Sequence, residues 1–442
     1  MYIFLPTMIN YQTILTKLGI SSLNEMQDKA IAAIKENNNI VLLSSTGSGK
    51  TLAYLLPLLD IMDSSLESIQ VLVLVPSREL AIQIENVFKS LGSGFKVNSC
   101  YGGHPIQVEK NNLKHPPAVL IGTPGRIADH LRDGRINTRH IKTLVLDEFD
   151  KSLELGFQED MSNIIRSLRP VKRILTSATN IPEIPDFVGI HNPIQLDFLS
   201  ETVPDKLQQR FILSDGKDKL ETLFKLLCKL GNKPMLVFSN HRESVERISN
   251  FLWLHQVPNG IYHGGMEQVD REKELILFRN GSTSCLVTTD LAARGLDIPE
   301  IEYIIHYHLP LTHDAFIHRN GRTARMNASG TMFLILSPGE KLPAYLGENP
   351  AMEELPDEAP LPELAPWKTI YISAGRKDKV NKIDIVGFLL QQGNLTKEEL
   401  GRIDVLDYAS YAAVSATKAD AVVRRVKNIP LKKKAVKIEI AK

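Results

Sequence analysis

The sequence predicts an α/β chain: two tandem domains, each built on a parallel sheet, followed by a small basic α+β domain. Three observations carry this prediction. Short apolar runs of strand length alternate with helical segments through the first two hundred residues. The alternation restarts after Asp205. Beyond an acidic, proline-rich stretch the chain becomes strongly basic. A length of 442 residues with 43% hydrophobic and 23% charged content is ordinary globular composition for two to four domains.

In order along the chain, the first strands are IVLLSS from Ile40, VLVLVP from Val71, AVLIG from Ala118, TLVLD from Thr143 and RILTSA from Arg173. None alternates with polar residues, so each is expected to be buried on both faces, as parallel sheets require. Between them lie segments such as SRELAIQIENVFKSL from Ser77, whose apolar residues repeat at helical spacing. A second set follows: PMLVFS from Pro234, SCLVTTD from Ser284, YIIHYHLP from Tyr303 and GTMFLILS from Gly330. These patterns divide the chain into residues 1–200 and 201–340, with an extended linker over 341–366, where Pro, Glu and Asp accumulate. The last part, 367–442, reads as strand, helix, strand, strand, helix, strand. It carries sixteen Lys and Arg against eight Asp and Glu, an excess of eight in a chain whose formal net charge is +1. Any nucleic-acid affinity read from charge therefore belongs to this end of the molecule.

Only Cys100, Cys228 and Cys285 are present, far apart and without a CxxC pair, which argues against a disulfide framework or a zinc site. The N-terminal residues MYIFLPTMIN lack a basic leader and a long apolar core, and no uncharged run of membrane-spanning length occurs. A cytoplasmic protein without membrane association is expected, as is a monomer.

Two motifs carry chemistry. Ser44-Ser45-Thr46-Gly47-Ser48-Gly49-Lys50-Thr51 follows an apolar strand and opens a helical segment, so its backbone N–H groups can wrap phosphates at a helix N-terminus. Lys50 would then meet the β/γ-phosphates and Thr51 would ligate Mg²⁺. About a hundred residues on, Asp147-Glu148-Phe149-Asp150 ends another apolar strand, at the sheet edge where α/β sites are built. Asp147 suits a Mg²⁺-organising role and Glu148 the activation of water. Taken alone, the acidic motif could be no more than a helix cap.

Together these motifs resemble the DEAD-box family of RNA helicases, over nearly all of residues 1–340. The resemblance implies RecA-like folds for both domains, ATP and Mg²⁺ as cofactors, and RNA as partner. Gln27 is similar to the family's adenine-reading glutamine, with either Tyr2 or Phe4 as the stacking aromatic. Pro76 and Arg78 of Pro76-Ser77-Arg78-Glu79-Leu80, Gly103 of Gly102-Gly103, and Thr123 and Arg126 of Thr123-Pro124-Gly125-Arg126 resemble its RNA-backbone contacts. Ser177-Ala178-Thr179 is similar to the segment that couples hydrolysis to strand separation through Asp150. In the second domain Gln268, Arg271, Thr289 and Arg294 match RNA contacts, and Asp297 matches the ribose contact. His318 to Arg325 resembles the arginine-finger motif, which implies catalytic roles for His318, Arg322 and Arg325, with the two arginines reaching the γ-phosphate, where developing charge needs cations. The chain departs from the family at Leu23, Asn24, Ser77, Asn320 and Ala324, and at Phe149, which replaces an alanine and could press on a neighbouring helix or on the cleft between domains.

Residues 367–442 resemble the C-terminal domain of DbpA-type helicases in GRKDK from Gly375, GRIDVLDYASYAAV from Gly401 and the basic last strand. This implies an RRM-like fold, binding to large-subunit ribosomal RNA, and a role on ribosomal precursor particles. A standard aromatic RNP1 pattern is missing. Arg376, Lys377, Lys379, Arg402, Lys432, Lys433 and Lys434 are therefore the expected RNA contacts. Two other functional classes fit parts of the pattern: an RNA-binding scaffold with a vestigial ATPase, and a DNA helicase of the same superfamily.

Overall fold

The computed structural model describes residues 10–103, 106–181, 183–199, 207–293, 298, 301–321, 323, 330–346 and 350–441. The chain divides into two compact units, one running through residue 203 and the other taking nearly all of the rest.

The first unit is one sheet of seven strands: β1 (Asn39–Ser44), β2 (Val71–Leu74), β3 (Val97–Cys100), β4 (Val119–Gly122), β5 (Thr143–Leu146), β6 (Lys172–Ser177) and β7 (Ile194–Phe198). They pair in the order β3-β4-β2-β5-β6-β1-β7, all parallel. Alternate residues of β2 show why its sequence is uniformly apolar. Val71 and Val73 enter one core with Leu55 and Ile84, whereas Leu72 and Leu74 enter the opposite core with Leu144 and Met161. The edge strands β3 and β7 carry mixed polarity because they are only partly covered.

The second unit opens with β8 (Leu207–Leu213), β9 (Met235–Phe238), β10 (Gly260–Tyr262), β11 (Cys285–Thr288), β12 (Tyr303–His306), β13 (Gly330–Leu336) and β14 (Ala351–Met352). Their order is β10-β11-β9-β12-β13-β8-β14, again parallel. β14 comes from the stretch expected to be an extended linker. It is fastened to the sheet because Glu353 pairs with Arg210 and, at 2.5 Å, with Lys229.

The same unit ends in an antiparallel sheet of β15 (Trp367–Ile372), β16 (Leu400–Val405), β17 (Ser410–Ser415) and β18 (Ile438–Ile440), in the order β16-β17-β15-β18. With the helices Lys382–Gln391 and Ala416–Val426, this is the strand and helix order read from the sequence. Ile370, Ile372, Ala412 and Val414 face the helices and form the core. Strand alternation puts Trp367, Thr369, Tyr371 and Tyr411 on the other face. That face lies against the preceding domain. Thr369 Oγ1 accepts from Asn280 Nδ2 at 3.1 Å and is 2.7 Å from Ser282 Oγ, and Tyr411 is only 5% exposed. Burial, with Tyr371, Glu272 and Asp270 close by, pushes the Tyr411 phenol up to about 12. Burial likewise raises the Glu272 carboxyl, which shares its surroundings with Arg279, Asp407 and Arg376. Among the described residues no helix is long and apolar enough to cross a membrane.

Candidate nucleotide and RNA sites

In the first sheet every motif singled out from the sequence except Gln27, which lies on the helix before β1, begins at or just beyond a strand end. β1 delivers residues 45–51, β5 delivers Asp147 to Asp150 and β6 ends at Ser177, and these three strands are adjacent. β2, β4 and β3, on the other half of the same edge, deliver Arg78, Thr123 to Arg126 and Gly103. Ligand sites of parallel sheets lie at this carboxyl edge.

The loop after β1 turns at Gly47 (φ +83°) and Gly49 (φ +90°), a region that costs glycine little. At Gly49 a Cβ would collide with the Gln27 amide, which instead donates to Gly49 O at 3.3 Å. Gln27 and Asn24 cap their helix reciprocally at 3.0 and 2.9 Å, and Asn24 Nδ2 donates to Ser48 O at 3.0 Å. The segment around Gln27 is thus clamped onto the loop. Lys50, 9% exposed, starts the helix Lys50–Ile61 and donates to Ser44 O and, at 3.1 Å, to Ser45 O. Burial draws its pKa down, while Asp147, Glu148 and Asp150 act in the opposite sense. Thr46 Oγ1 is buried and has no partner among the described residues. A buried ammonium, an unmatched hydroxyl and a glycine turn at a helix N-terminus fit a phosphate chain.

Asp147 is 3% exposed and its two oxygens are spoken for. Oδ2 accepts from Tyr54 OH at 2.8 Å; Oδ1 accepts from the Thr176 hydroxyl and, at 3.0 Å, from Glu148 N. Burial and the neighbouring Asp147 push the Tyr54 phenol well up, which keeps it a donor. Glu148 has φ +46°, a left-handed conformation rare for a residue with a side chain. The Thr51 hydroxyl, near the Tyr54 phenol, acts against that phenol's rise, so Thr51 and Asp147 both neighbour Tyr54 and offer hard oxygen donors of the kind Mg²⁺ accepts. Thr179 Oγ1 donates to Asp150 Oδ2 at 2.9 Å, and Ser177 Oγ donates to Thr179 O at 2.7 Å. Phe149 is fully buried in the first-unit core containing Leu43, Leu146 and Met161. Of the two placements considered from sequence, the structure shows packing within the first domain.

On the other half of the edge Pro76 is buried, Ser77 caps the helix Arg78–Ser90, and the Arg78 guanidinium fills the space a Cβ at Gly103 (φ +92°) would need. Arg126 rests on Glu109, a carboxylate whose side chain is 1% exposed. Glu109 Oε2 lies 3.0 Å from Arg126 and 2.6 Å from His130, and Oε1 accepts from Tyr101 N at 2.9 Å. Cys100 lies close enough to share a cation with Glu109 and His130, a grouping its lone spacing in sequence concealed. The guanidinium on the same carboxylate makes this an ion-paired cluster.

In the second unit Thr289 is half-buried beyond β11, while Arg271 is 2% exposed, deeper than an RNA contact read from sequence would suggest. His318 is 1% exposed. Arg319, not singled out from the sequence, is fully buried and organises this end of the sheet. It bonds Asp290 at 2.5 Å, His308 O at 2.9 Å and Asn240 Oδ1 at 2.7 Å, with its guanidinium carbon 5.2 Å from the Phe238 ring centre. Tyr2, Phe4, Arg294, Asp297, Arg322 and Arg325 lie outside the described residues.

In the C-terminal domain Lys432 Nζ bonds Lys379 O and Asp384 Oδ2, both at 2.8 Å, and Lys434 pairs with Asp378. Two basic segments more than fifty residues apart thereby join, with Arg376, Lys377, Lys379, Lys432 and Lys433 all exposed. Arg402 is on β16, paired with Asp404 at 3.2 Å.

A phosphate loop, an acidic strand end and a second parallel sheet define a nucleotide-driven motor of the helicase class. Residues 24–187 match the DEAD/DEAH box helicase family and residues 218–327 the helicase conserved C-terminal domain, and residues 369–440 match the DbpA RNA binding domain. The chain belongs to the DEAD-box family of ATP-dependent RNA helicases, with two RecA-like domains and an RRM-like third. It is 31% identical to the ATP-dependent RNA helicase DbpA of Escherichia coli, over 97% of each protein. Against DbpA of Bacillus subtilis the identity is 28%, over 96% of each. Among solved structures, Saccharomyces cerevisiae Dbp5 bound to RNA and ADP BeF3 is similar with a TM-score of 0.68 and 25% identity, over 77% of this chain and 92% of that one. Mss116p bound to ssRNA and AMP-PNP gives 0.66 and 26%, over 73% and 71%.

Proposed function

We propose that this helicase separates short stretches of large-subunit ribosomal RNA during ribosome assembly, with ATP hydrolysis resetting the enzyme after each event. The observation that carries the coupling is the hydrogen bond from Thr179 to Asp150, which ties the strand end after β6 to the acidic motif after β5. In this reading the backbone of residues 45–49 and the Lys50 ammonium bind the triphosphate, and Gln27 reads the adenine beside them. Thr51 and Asp147 hold Mg²⁺, which supplies charge neutralisation at the phosphates. Glu148 orients water and takes its proton. Arg322 and Arg325 bring positive charge to the γ-phosphate, with His318 in the same motif, and Asp297 takes the ribose. Arg78, Gly103, Thr123 and Arg126 grip the RNA backbone in the first domain; Arg271, Thr289 and Arg294 do so in the second.

The ribosomal target is supported by the match to the DbpA RNA binding domain and by the joined basic segments at Lys379 and Lys432. We infer too that the protein acts as a cytoplasmic monomer on ribosomal precursor particles. Steady-state ATPase of the full chain with poly(A) and with total ribosomal RNA tests the target. Activation by ribosomal RNA at a much lower concentration supports it; equal activation by both makes the enzyme a general helicase. A Glu148→Gln variant fully able to support assembly would favour a scaffold over an enzyme.

A further inference from the structure

We propose that Tyr408 is a base-stacking residue, and that the RNA site of the C-terminal domain lies on the β16–β17 turn and the basic loops beside it, away from the face of the sheet. The inference rests on the reading of this domain as RNA-binding and adds the chemistry of its ligand: an unpaired nucleobase next to a phosphate backbone.

RRM-like sheets ordinarily stack bases on aromatic side chains of their open face. Here that face is taken. Thr369 is hydrogen-bonded to the preceding domain, Trp367 lies against Gly281, and Tyr411 is almost completely buried. Tyr371 and Tyr411 pack edge-on at 5.5 Å, leaving each other little free ring surface. One aromatic of the domain is instead presented to solvent: Tyr408, 71% exposed, in the turn between β16 and β17.

The turn is held in place by its backbone. Arg376 N donates to Leu406 O at 2.8 Å and Lys377 N to Asp407 O at 2.9 Å, so the residues flanking Tyr408 are bonded to the first two cations of the basic loop. Gly375 permits this approach, because a Cβ there would meet Asp407 O at 2.6 Å. Lys432 and Lys434 then tie the second basic loop to the first through Lys379 O and Asp378. Ile383, 80% exposed, is next to Asp384, the carboxylate that Lys432 grips. The result is an exposed ring on a turn whose backbone is bonded to that of Arg376 and Lys377, in a loop joined in turn to Lys432 and Lys434. A cationic track flanking an unpartnered aromatic ring is the arrangement that single-stranded nucleic acid binds, phosphates on the cations and a base on the ring. An apolar protein partner would gain little from so many flanking cations.

The test is the affinity of the full chain for total ribosomal RNA, read as the RNA concentration that half-activates its ATPase, at several salt concentrations. Tyr408→Ala should raise that concentration about tenfold, the scale of one lost base stack. The slope against log salt should not change, because stacking releases no counterion. Tyr408→Phe, which keeps the ring, should behave as the native chain. Lys432→Ala with Lys433→Ala should weaken binding and flatten the slope by about two. If Tyr408→Ala leaves affinity unchanged while the lysine pair weakens it, the patch binds phosphate alone and the stacking role is overturned. If Tyr408→Phe is as weak as Tyr408→Ala, the hydroxyl matters and stacking is again overturned. If neither the ring nor the lysines matter, the RNA-binding reading of the domain itself fails.

Discussion

Replacing Phe149 by the alanine usual in the family should destabilise the first domain while sparing its chemistry. The ring is fully buried among Leu43, Leu146 and Met161, and it occupies the position directly after Glu148. Emptying such a site removes the transfer energy of the ring and leaves a cavity, together about 3–5 kcal/mol. In a domain of this size each kcal/mol moves the midpoint by roughly 2–4 °C, so a fall of about 10 °C is expected. Asp147 is held by Tyr54 and Thr176 and Asp150 by Thr179, none of which depends on the ring. ATPase at 20 °C should therefore stay near the native value. Thermal unfolding of the full chain with and without ATP measures this, the first-domain transition being the one that ATP shifts. An unchanged midpoint would refute the packing argument. A native midpoint with lost ATPase would refute it differently, by showing that Phe149 acts on the acidic motif.

Other predictions follow from the same geometry. Thr179→Ala, which removes the hydroxyl bonded to Asp150, should retain RNA-stimulated ATPase while strand separation per ATP falls about tenfold, measured on a short duplex; parallel losses would break the proposed link. Glu109→Gln turns an amide donor towards Arg126 and His130, and should raise the RNA concentration for half-maximal ATPase by about tenfold at unchanged kcat; an unchanged value would show that Arg126 needs no anchor. Burial and the adjacent Arg319 lower the pKa of His306 to about 3, against about 6.5 when unfolded, so the unfolded chain binds the extra proton between those values. The stability this neutral histidine contributes is present above pH 6.5 and lost as pH falls towards 3, about 2 kcal/mol of it between pH 7.5 and 5. Urea unfolding of the second unit at those two pH values checks this, and a flat response would contradict it.

The parallel strands were legible because central strands of such sheets are buried on both faces, as β2 shows by feeding two cores. β3, β7 and β8 escaped because they mix polar with apolar residues, as in Ile194–Phe198, and β10 and β14 because they are only two or three residues long. The phosphate loop and the acidic motif could be read because glycines and charges at fixed spacing have few other uses. Tyr54, Thr176, Glu109 and Arg319 could not, since a buried polar residue is defined by partners brought together only by folding. A signal did exist for Arg319, the second cation of the His318 motif, and for Tyr54, a phenol in a largely apolar helix. The docked sheet face was also foreshadowed. In β15 Thr369 and Tyr371 alternate with Ile370 and Ile372, a strand with no side suited to water.

That docking settles what the basic end of the chain is fixed to. Thr369, Trp367 and Tyr411 fasten the small sheet to the preceding domain, so on the proposed reading RNA held on the loops of one would be held, in effect, to the other. A handle of this kind would hold the anchored strand stationary in the frame of the second domain. Loosening the fastening, for instance with Thr369→Ala, would leave grip and engine intact and put slack between them.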